Sequence, residues 1–275
     1  MIHVDDGVPA VRTAEKLHYS YFPRAGGGST EPLVLLNSLG TSAEIWTPLL
    51  PELTAATSVV CIDYPGHGWS STNDAPRELD ALASQISVVL DTLQIERAHL
   101  AGVSIGGMLA LRLAALMPTR IRSITVMGSA PKMDRALWTG RGELVAKSGT
   151  AAIAGELIPR WFTATFRDAN PAIIDRYIGL LSNTDNAVYA GICAALAGID
   201  IRPGLSGVEC PTLVVVGTED PGATIDDAVE IAAGIPQAVI ETVEGAAHQL
   251  QAMAPARITE LVLGQLQRAA AGDSA

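Results

Sequence analysis

Residues 101–108 read AGVSIGGM and set Ser104 between Gly102 and Gly106. They follow a strand-like apolar run, RAHLAG (97–102), and begin a helical pattern. A serine on a sharp strand-to-helix turn presents its hydroxyl above a parallel sheet, where it can act as a nucleophile. Side chains two residues to either side would obstruct such a turn, which explains both glycines. A bare GxSxG match is weak because glycine and serine are common, but this strand–turn–helix context favours a nucleophile elbow over an ordinary glycine-rich turn.

Short apolar runs alternate with longer helical patterns along most of the chain. Continuous apolar strands separated by helices are typical of a parallel sheet that is covered on both faces. We therefore predict an α/β protein with a mostly parallel, twisted sheet, to which a strand pair near residues 11–22 adds an antiparallel edge. The other predicted strands lie at 33–37, 58–63, 97–102, 120–128, 211–217 and 237–243, and the clearest helices at 76–93, 105–117 and 224–234.

Residues 131–199 interrupt this alternation, because they contain no clear strand and have the pattern of several helices. The segment is too long for a simple connection, which rarely exceeds about 15 residues. We predict a helical cap, or lid, at 131–199, inserted into an α/β core formed by 1–130 and 200–275. Half of the aromatic residues of the chain lie in this cap. They could form the cap's own core or line a pocket, and the sequence supports both interpretations equally.

The charge of the predicted cap differs from that of the whole chain. The cap carries seven basic and six acidic residues, whereas the chain has a formal net charge of −11. A neutral or basic cover could admit an anionic small molecule that the acidic body would repel. A solvated surface of mixed charges is the alternative.

Composition excludes several classes of function. The chain has 275 residues, 48% of them hydrophobic, so a packed core is expected, and its negative charge argues against a nucleic acid partner. The three cysteines have no metal-ligand spacing and fit a reducing compartment. The N-terminal segment lacks the apolar core of a signal peptide, and the longest apolar stretch, 100–117, contains Arg112 and fits a buried strand and helix. We expect a cytoplasmic protein with no membrane partner, metal or cofactor.

A nucleophilic serine needs a base, and the candidates are the histidines of the chain. They are His3, His18, His67, His99 and His248. His248, in VEGAAHQL, follows the last predicted strand and precedes the last helix, at the carboxyl edge of the sheet where Ser104 also emerges. The others lie near the chain start, in predicted strands or, for His67, in a glycine-flanked turn where a structural role is the default. His248 is therefore the predicted base.

The group that orients the base should follow another strand. The stretch VVVGTEDPGAT places Glu219 and Asp220 directly after a predicted strand, and either carboxylate could hold a histidine ring. Carboxylates in such places also serve as helix caps or surface charges. We favour Asp220, which lies two residues beyond the turn and is fixed by Pro221.

Cleavage of an acyl group also requires N–H donors for the developing oxyanion, each worth about 3 kcal/mol. The Ile105 amide directly follows the predicted nucleophile, at a helix N-terminus. The second donor should come from the loop NSLGTS after the strand at 33–37, where Leu39 is the best-placed residue. Without the other motifs, this loop would be an ordinary turn.

Together these motifs resemble the α/β-hydrolase superfamily, in which nucleophile, acid and histidine follow this chain order. The likeness runs from LLNSLGTSAEIW through DYPGHGWS, GVSIGG and GTEDP to GAAH, and covers most of residues 15–268. The loop NSLGTS, in place of a commoner His-Gly loop, and the stretches PRWFTATFRDANP and AVYAGICAAL are similar to 3-oxoadipate enol-lactonases of the β-ketoadipate pathway. The resemblance implies the α/β-hydrolase fold and assigns Ser104 as nucleophile, Asp220 as acid, His248 as base, and the Leu39 and Ile105 amides as oxyanion hole.

One pair of residues departs from the lactonase pattern. After CAAL such lactonases usually continue with Arg-Asp, whereas this chain has Ala197-Gly198. If that pair shapes the pocket or its lid, the natural substrate differs, and the catalytic set is unaffected.

These observations predict a serine hydrolase that uses no cofactor and cleaves a carboxylic ester or lactone, with the carboxylated 3-oxoadipate enol-lactone of aromatic degradation as best candidate. Basic and aromatic cap residues would hold the substrate carboxylate, since arginine binds such groups bidentately. The candidates are Arg135, Trp138, Arg160 and Trp161. One alternative is a general short-chain carboxylesterase with perhydrolase side activity, and another is a ligand receptor without turnover. The intact triad argues against the receptor, and the oligomeric state stays open because several helices could be core or interface.

Overall fold

One sheet forms the centre of the protein, whose computed structural model describes residues 10–14, 17–27, 31–72 and 78–271. Within these residues its strands are β1 (Ala10–Ala14), β2 (Leu17–Phe22), β3 (Leu33–Leu36), β4 (Val59–Ile62), β5 (Ala98–Val103), β6 (Ile121–Met127), β7 (Thr212–Gly217) and β8 (Ala238–Val243). Their order is β1-β2-β4-β3-β5-β6-β7-β8. The β1–β2 and β2–β4 pairs are antiparallel and the other neighbours are parallel. The predicted α/β class, with its antiparallel edge, is confirmed.

Helices connect the parallel strands and cover the sheet. Those of the sheet-bearing part are α1 (Leu50–Ala56), α2 (Leu79–Thr92), α3 (Ile105–Leu116), α9 (Ile225–Ala233), α10 (Leu250–Met253) and α11 (Pro255–Ala271). Between β6 and β7 lie α4 (Arg135–Ser148), α5 (Ala154–Trp161), α6 (Ala164–Ala169), α7 (Pro171–Ser182) and α8 (Asn186–Leu196). The helix predicted at 76–93 begins at Leu79, after an extended Glu78. Residues 76 and 77 and His3 lie outside the described residues.

The continuous apolar patterns of the central strands have a direct physical cause. Every residue of β3, β4, β5, β6 and β7 is buried, because helices pack on both faces of the sheet. The edge strand β8 has buried, half-buried and exposed positions. Cys61 in β4 is 1% exposed and packs as a small apolar residue.

The register of the parallel strands aligns their carboxyl ends. Leu36 of β3 lies opposite Ile62 of β4 and Gly102 of β5, while Val103 of β5 pairs with Met127 of β6. The loops that follow these strands therefore emerge at one edge of the sheet. In open α/β sheets this edge is where ligands bind.

We call the helices from Arg135 to Leu196 the cap. A short neck joins it to the sheet, where the Met133 amide donates to the Ile199 carbonyl at 2.9 Å and the Ile201 amide to the Pro131 carbonyl at 2.9 Å. The cap has an aromatic cluster of its own, in which Phe162 stacks on Phe166 with ring centroids 5.4 Å apart. Tyr177 completes this cluster, edge-on to Phe162 at 4.8 Å.

None of the helices in the described part of the chain is both long and apolar enough to cross a membrane.

Candidate active site

The turn from β5 into α3 holds Ser104 in a backbone conformation that L-residues rarely adopt, with φ 60° and ψ −120°. A Cβ on Gly102 would lie 2.2 Å from the carbonyl group of Gly106, and a Cβ on Gly106 would lie 2.2 Å from the Leu36 oxygen. Both contacts are far shorter than any real Cβ contact, so neither position admits a side chain. The glycines are required because β3, β5 and α3 meet at this turn.

Hydrogen bonds from the neighbouring strand hold the strained turn. The Ser104 amide donates to the Met127 carbonyl at 2.9 Å, and the Ser129 hydroxyl donates to the Ser104 carbonyl at 2.9 Å. Such a conformation costs on the order of 1–3 kcal/mol and persists only where the surroundings enforce it. The result is a half-buried serine side chain that lines a cavity above the sheet.

Asp220, which is buried, and His248, which is half-buried, form a pair at the same edge of the sheet. The Nδ1 atom of His248 lies 2.8 Å from Oδ2 of Asp220, whose side chain is fully buried. The other carboxylate oxygen accepts hydrogen bonds from the amides of Gly222 and Ala223, at 2.8 and 3.0 Å. Glu219, the other acid that the sequence offers, is exposed. The geometry therefore selects Asp220 as the partner of His248.

The ionisation of Asp220 follows from these contacts. Burial acts to raise its pKa, but the His248 ring and the two backbone amides outweigh burial and hold the pKa below its ordinary value. An ionised carboxylate can only accept hydrogen bonds, so the proton of the pair resides on Nδ1 of His248. In the neutral ring, Nε2 then keeps its lone pair and is available as a base.

The loops that carry the pair are connected directly. The Glu219 amide donates to the Ala246 carbonyl at 2.9 Å. At the end of β7, a Cβ on Gly217 would lie 2.2 Å from the same Ala246 oxygen, so this approach also needs a glycine. The Gln249 amide donates to the carbonyl of Trp161 at 3.1 Å, which ties the histidine loop to the cap.

The predicted oxyanion hole consists of two backbone amides, those of Leu39 and Ile105. Leu39 lines the cavity together with Ser104, and Ile105 begins α3 immediately after Ser104. Among the described residues, neither amide donates a hydrogen bond to protein. Both N–H groups are thus free to serve a ligand.

The cavity above Ser104 has a volume of about 230 Å³. This is below the roughly 300–1,000 Å³ of pockets for drug-sized ligands, so it suits a small molecule. Its apolar wall includes Trp138 and Leu157 from the cap and Leu39 from the core.

The aromatic residues of the cap have two different surroundings. Trp138, Trp161 and Tyr189 line the cavity, whereas the Phe162 cluster packs inside the cap. Some aromatic residues of the cap therefore line a pocket and others form the cap's own core, so both predicted roles occur, in different residues.

Three acidic side chains line the cavity, and all three have partners within the protein. Asp220 is bound to His248. Asp134 caps α4 by accepting from the Leu137 amide at 2.7 Å, and Asp227 accepts from the Thr224 amide and hydroxyl at the start of α9. Each of these three carboxylates therefore already accepts a hydrogen bond from another group of the protein.

The basic residues of the cavity are less well satisfied; they are Lys132, Arg141 and Arg160. The Arg141 side chain is only 9% exposed, lies 4.8 Å above the Trp138 ring and donates from Nη2 to Glu156 at 3.0 Å. Its Nε atom is buried and has no partner among the described residues. A buried unsatisfied donor costs about 1–3 kcal/mol, more for a charged group, so an acceptor beside Nε would relieve this cost.

A sequence model of the alpha/beta hydrolase family matches residues 33–261. The chain belongs to the alpha/beta hydrolase family. This hydrolase is 33% identical to 3-oxoadipate enol-lactonase 2 of Acinetobacter baylyi over 89% of its own length and 90% of the relative's. It is 36% identical to 3-oxoadipate enol-lactonase 1 of the same organism, over 74% and 76% of the two chains. The crystal structure of an enol-lactonase from Burkholderia xenovorans LB400 superposes with a TM-score of 0.89 and 29% identity, covering 94% of this hydrolase and all of that chain.

The hydrolase brings together seven of the side chains and amides that the sequence singled out. Around its cavity lie Ser104, Asp220, His248, Leu39, Trp138, Arg160 and Trp161. Arg141 was not among the predicted residues, although it lies three positions after Trp138 in α4 and so on the same helix face. Its burial depends on how the cap lies over the sheet, which the sequence alone does not specify.

Arg135 does not line the cavity of this hydrolase. Its guanidinium packs against Gly198, where a Cβ would come within 2.5 Å of Nη2. The structure therefore does not bring Arg135 to the cavity, where the predicted contact with a substrate carboxylate would be made.

Ala197 and Gly198, which depart from the lactonase pattern, also lie away from the cavity, in the connection from α8 to the neck. Gly198 packs against Arg135, and neither Ala197 nor Gly198 forms part of the cavity wall.

Proposed function

We propose that this hydrolase cleaves a carboxylic ester or lactone through an acyl-enzyme on Ser104. The observation that carries the proposal is the Asp220–His248 pair, joined at 2.8 Å and lining the same cavity as Ser104. Serine is a poor nucleophile unless a base removes its proton during attack, and Nε2 of His248 is the available base. Asp220 fixes the tautomer and stabilises the imidazolium that forms.

The reaction takes place in two stages. The Ser104 oxygen bonds to the substrate carbonyl carbon, its proton passes to His248, and the resulting oxyanion accepts hydrogen bonds from the Leu39 and Ile105 amides. The bond from the carbonyl carbon to the ring or ester oxygen then breaks, and His248 returns the proton to that oxygen. A water molecule repeats the sequence on the acyl-enzyme and releases the carboxylic acid. In a lactone the leaving oxygen stays tethered, so prompt protonation by His248 prevents ring closure.

The substrate class that we propose is an enol-lactone bearing a carboxylate, with 3-oxoadipate enol-lactone as its first candidate. The curated relatives of that name support the choice, as do Arg141 and Arg160, which line the cavity. Arg141 already has one carboxylate partner, Glu156, but that side chain is 49% exposed and such a pair is weak. An enolate leaves readily, which lightens the demand on His248 as the acid.

The test compares turnover of 3-oxoadipate enol-lactone with that of nitrophenyl acetate, each followed by absorbance. We expect a higher kcat/KM for the lactone and, in Ser104→Ala, a loss on the order of 10⁶ in kcat for both substrates. Preference for nitrophenyl acetate would indicate a short-chain carboxylesterase. Activity that survives in Ser104→Ala would refute the acyl-enzyme mechanism.

A further inference from the structure

His67 lies in the turn after β4 and is completely buried. Its Nε2 atom accepts a hydrogen bond from the Gly40 amide at 3.0 Å, and its Nδ1 atom donates to the Pro65 carbonyl at 2.8 Å. The backbone amide can only donate, and the carbonyl can only accept. These two partners therefore require a neutral ring with its proton on Nδ1 and a lone pair on Nε2.

The Gly40 amide belongs to the loop that carries the predicted oxyanion donor. Leu39 lies between two peptide groups, and both are fixed. The carbonyl of Ser38, which shares a peptide plane with the Leu39 N–H, accepts from the Thr41 amide at 3.2 Å and the Thr41 hydroxyl at 2.8 Å. The next peptide is held through its Gly40 N–H by His67.

The cap leaves this loop little freedom to relax. Gly40 has φ +78°, and a Cβ there would lie 2.6 Å from Leu181 and 3.1 Å from Tyr189. On the other side of His67, the Gly66 carbonyl accepts from the Asp185 amide at 2.9 Å, just before α8. The histidine turn and the Leu39 loop are thus packed as one unit beneath the cap.

We propose that neutral His67 is a positioning residue, which orients the Leu39 N–H as an oxyanion donor by accepting the hydrogen bond from Gly40. This inference rests on the proposed function, because it assumes an oxyanion beside Leu39. His67 does not touch the substrate, since it does not line the cavity. Its effect should therefore appear in stabilisation of the transition state more than in substrate binding.

The surroundings of His67 keep the ring neutral. Burial lowers its pKa, and the Pro65 carbonyl with the Asp63 and Asp185 carboxylates offsets only part of this effect. The Tyr64 ring lies edge-on at 6.0 Å, and its own pKa is raised by burial, so it carries no charge at neutral pH. Both polar ring atoms of His67 are already engaged, which leaves no further acceptor for a second ring proton.

Two substitutions separate the hydrogen bonds of the ring. A glutamine amide reaches the position of Nε2, so His67→Gln keeps an acceptor for Gly40. An asparagine amide reaches the position of Nδ1, so His67→Asn keeps the donor to Pro65 and loses the acceptor. We expect His67→Asn to lower kcat by about 10- to 100-fold, with KM within about threefold, and His67→Gln to stay within about fivefold of wild type.

The second readout is the affinity for a trifluoromethyl ketone, whose adduct with serine places an oxyanion in the hole. His67→Asn should weaken this affinity by the same factor as kcat, while the affinity for a carboxylate product is unchanged. His99→Asn is the matched control. Like His67, His99 is buried and its Nδ1 atom forms a hydrogen bond, here with the Ser123 hydroxyl, but it lies at the end of β5 that is remote from Ser104. It should change the melting temperature without changing kcat.

Equal kcat values in the two His67 variants, close to that of wild type, would overturn the inference and leave the proposed function intact. Absence of turnover in the wild type would overturn both. If His67→Asn does not fold, ¹⁵N NMR of the wild-type protein tests the inference instead, by showing which ring nitrogen of His67 carries the proton. A protonated Nδ1 and an unprotonated Nε2 coupled to the Gly40 amide are expected, and a protonated Nε2 would overturn the inference.

Discussion

Substitution of Asp220 by asparagine should inactivate the hydrolase through the tautomer of His248. The Oδ1 atom of Asp220 accepts hydrogen bonds from the backbone amides of Gly222 and Ala223, at 2.8 and 3.0 Å. In Asp220→Asn the amide oxygen must remain there, because an NH₂ group would face two donors. The NH₂ group then points at Nδ1 of His248, which must become an acceptor. The ring proton moves to Nε2, and the base that Ser104 needs is lost.

The size of this effect follows from the loss of general-base catalysis. The same substitution in a serine protease triad lowers kcat by about 10⁴. A factor of 10⁴ corresponds to about 5.4 kcal/mol in activation free energy at 1.36 kcal/mol per decade. Asparagine has nearly the same volume as aspartate, and Asp220 is buried in a closed set of hydrogen bonds, so we expect the fold to be retained.

The assay is hydrolysis of nitrophenyl acetate under saturating conditions, together with ¹⁵N NMR of the His248 ring. Glu219→Gln is the matched control, since it removes the neighbouring exposed carboxylate and should leave kcat within about twofold. A folded Asp220→Asn enzyme with kcat within tenfold of wild type would refute the reasoning. So would an NMR spectrum in which the proton stays on Nδ1.

The remaining predictions concern the turn, the cavity and acid stability. Gly106→Ala places a Cβ 2.2 Å from the Leu36 oxygen, so α3 must shift, and we expect kcat to fall by about 10²-fold and stability by about 1–3 kcal/mol, as measured by kinetics and urea unfolding. Arg141→Gln should lower kcat/KM for the carboxylated lactone by about 10- to 100-fold while nitrophenyl acetate changes by less than threefold. Arg135→Gln, outside the cavity, should change neither, and equal losses for both substrates in Arg141→Gln would contradict a carboxylate contact. Because the folded-state pKa of Asp220 is depressed, its ionisation stabilises the protein above the unfolded pKa of about 3.9, and that contribution is lost as pH falls through the folded pKa. Melting temperatures between about pH 2 and 6 should therefore fall less steeply in Asp220→Asn, and parallel curves would contradict the assignment.

The fold was predictable because its main signals are local. Each central strand is buried along its whole length, so its sequence is continuously apolar, and the glycines beside Ser104 mark a turn where three elements meet. Asp220 and His248 could be found by position, since each follows a parallel strand. The carboxyl ends of such strands share one edge of the sheet.

The residues that sequence analysis missed depend on contacts between distant segments. Arg141 becomes a cavity residue only because the cap lies over the sheet, and Arg135, with the same chemistry in the same helix, packs on Gly198 instead. His67 received a structural role by default, because its bond to Gly40 joins residues 27 positions apart. No local pattern distinguishes these cases.

The most direct test of the account is mass spectrometry of the hydrolase quenched during turnover of nitrophenyl acetate. The account predicts an acetyl group on the peptide that contains Ser104, formed and lost at rates compatible with kcat and absent in Ser104→Ala. Turnover without an adduct on Ser104, or with the adduct on another residue, would contradict it.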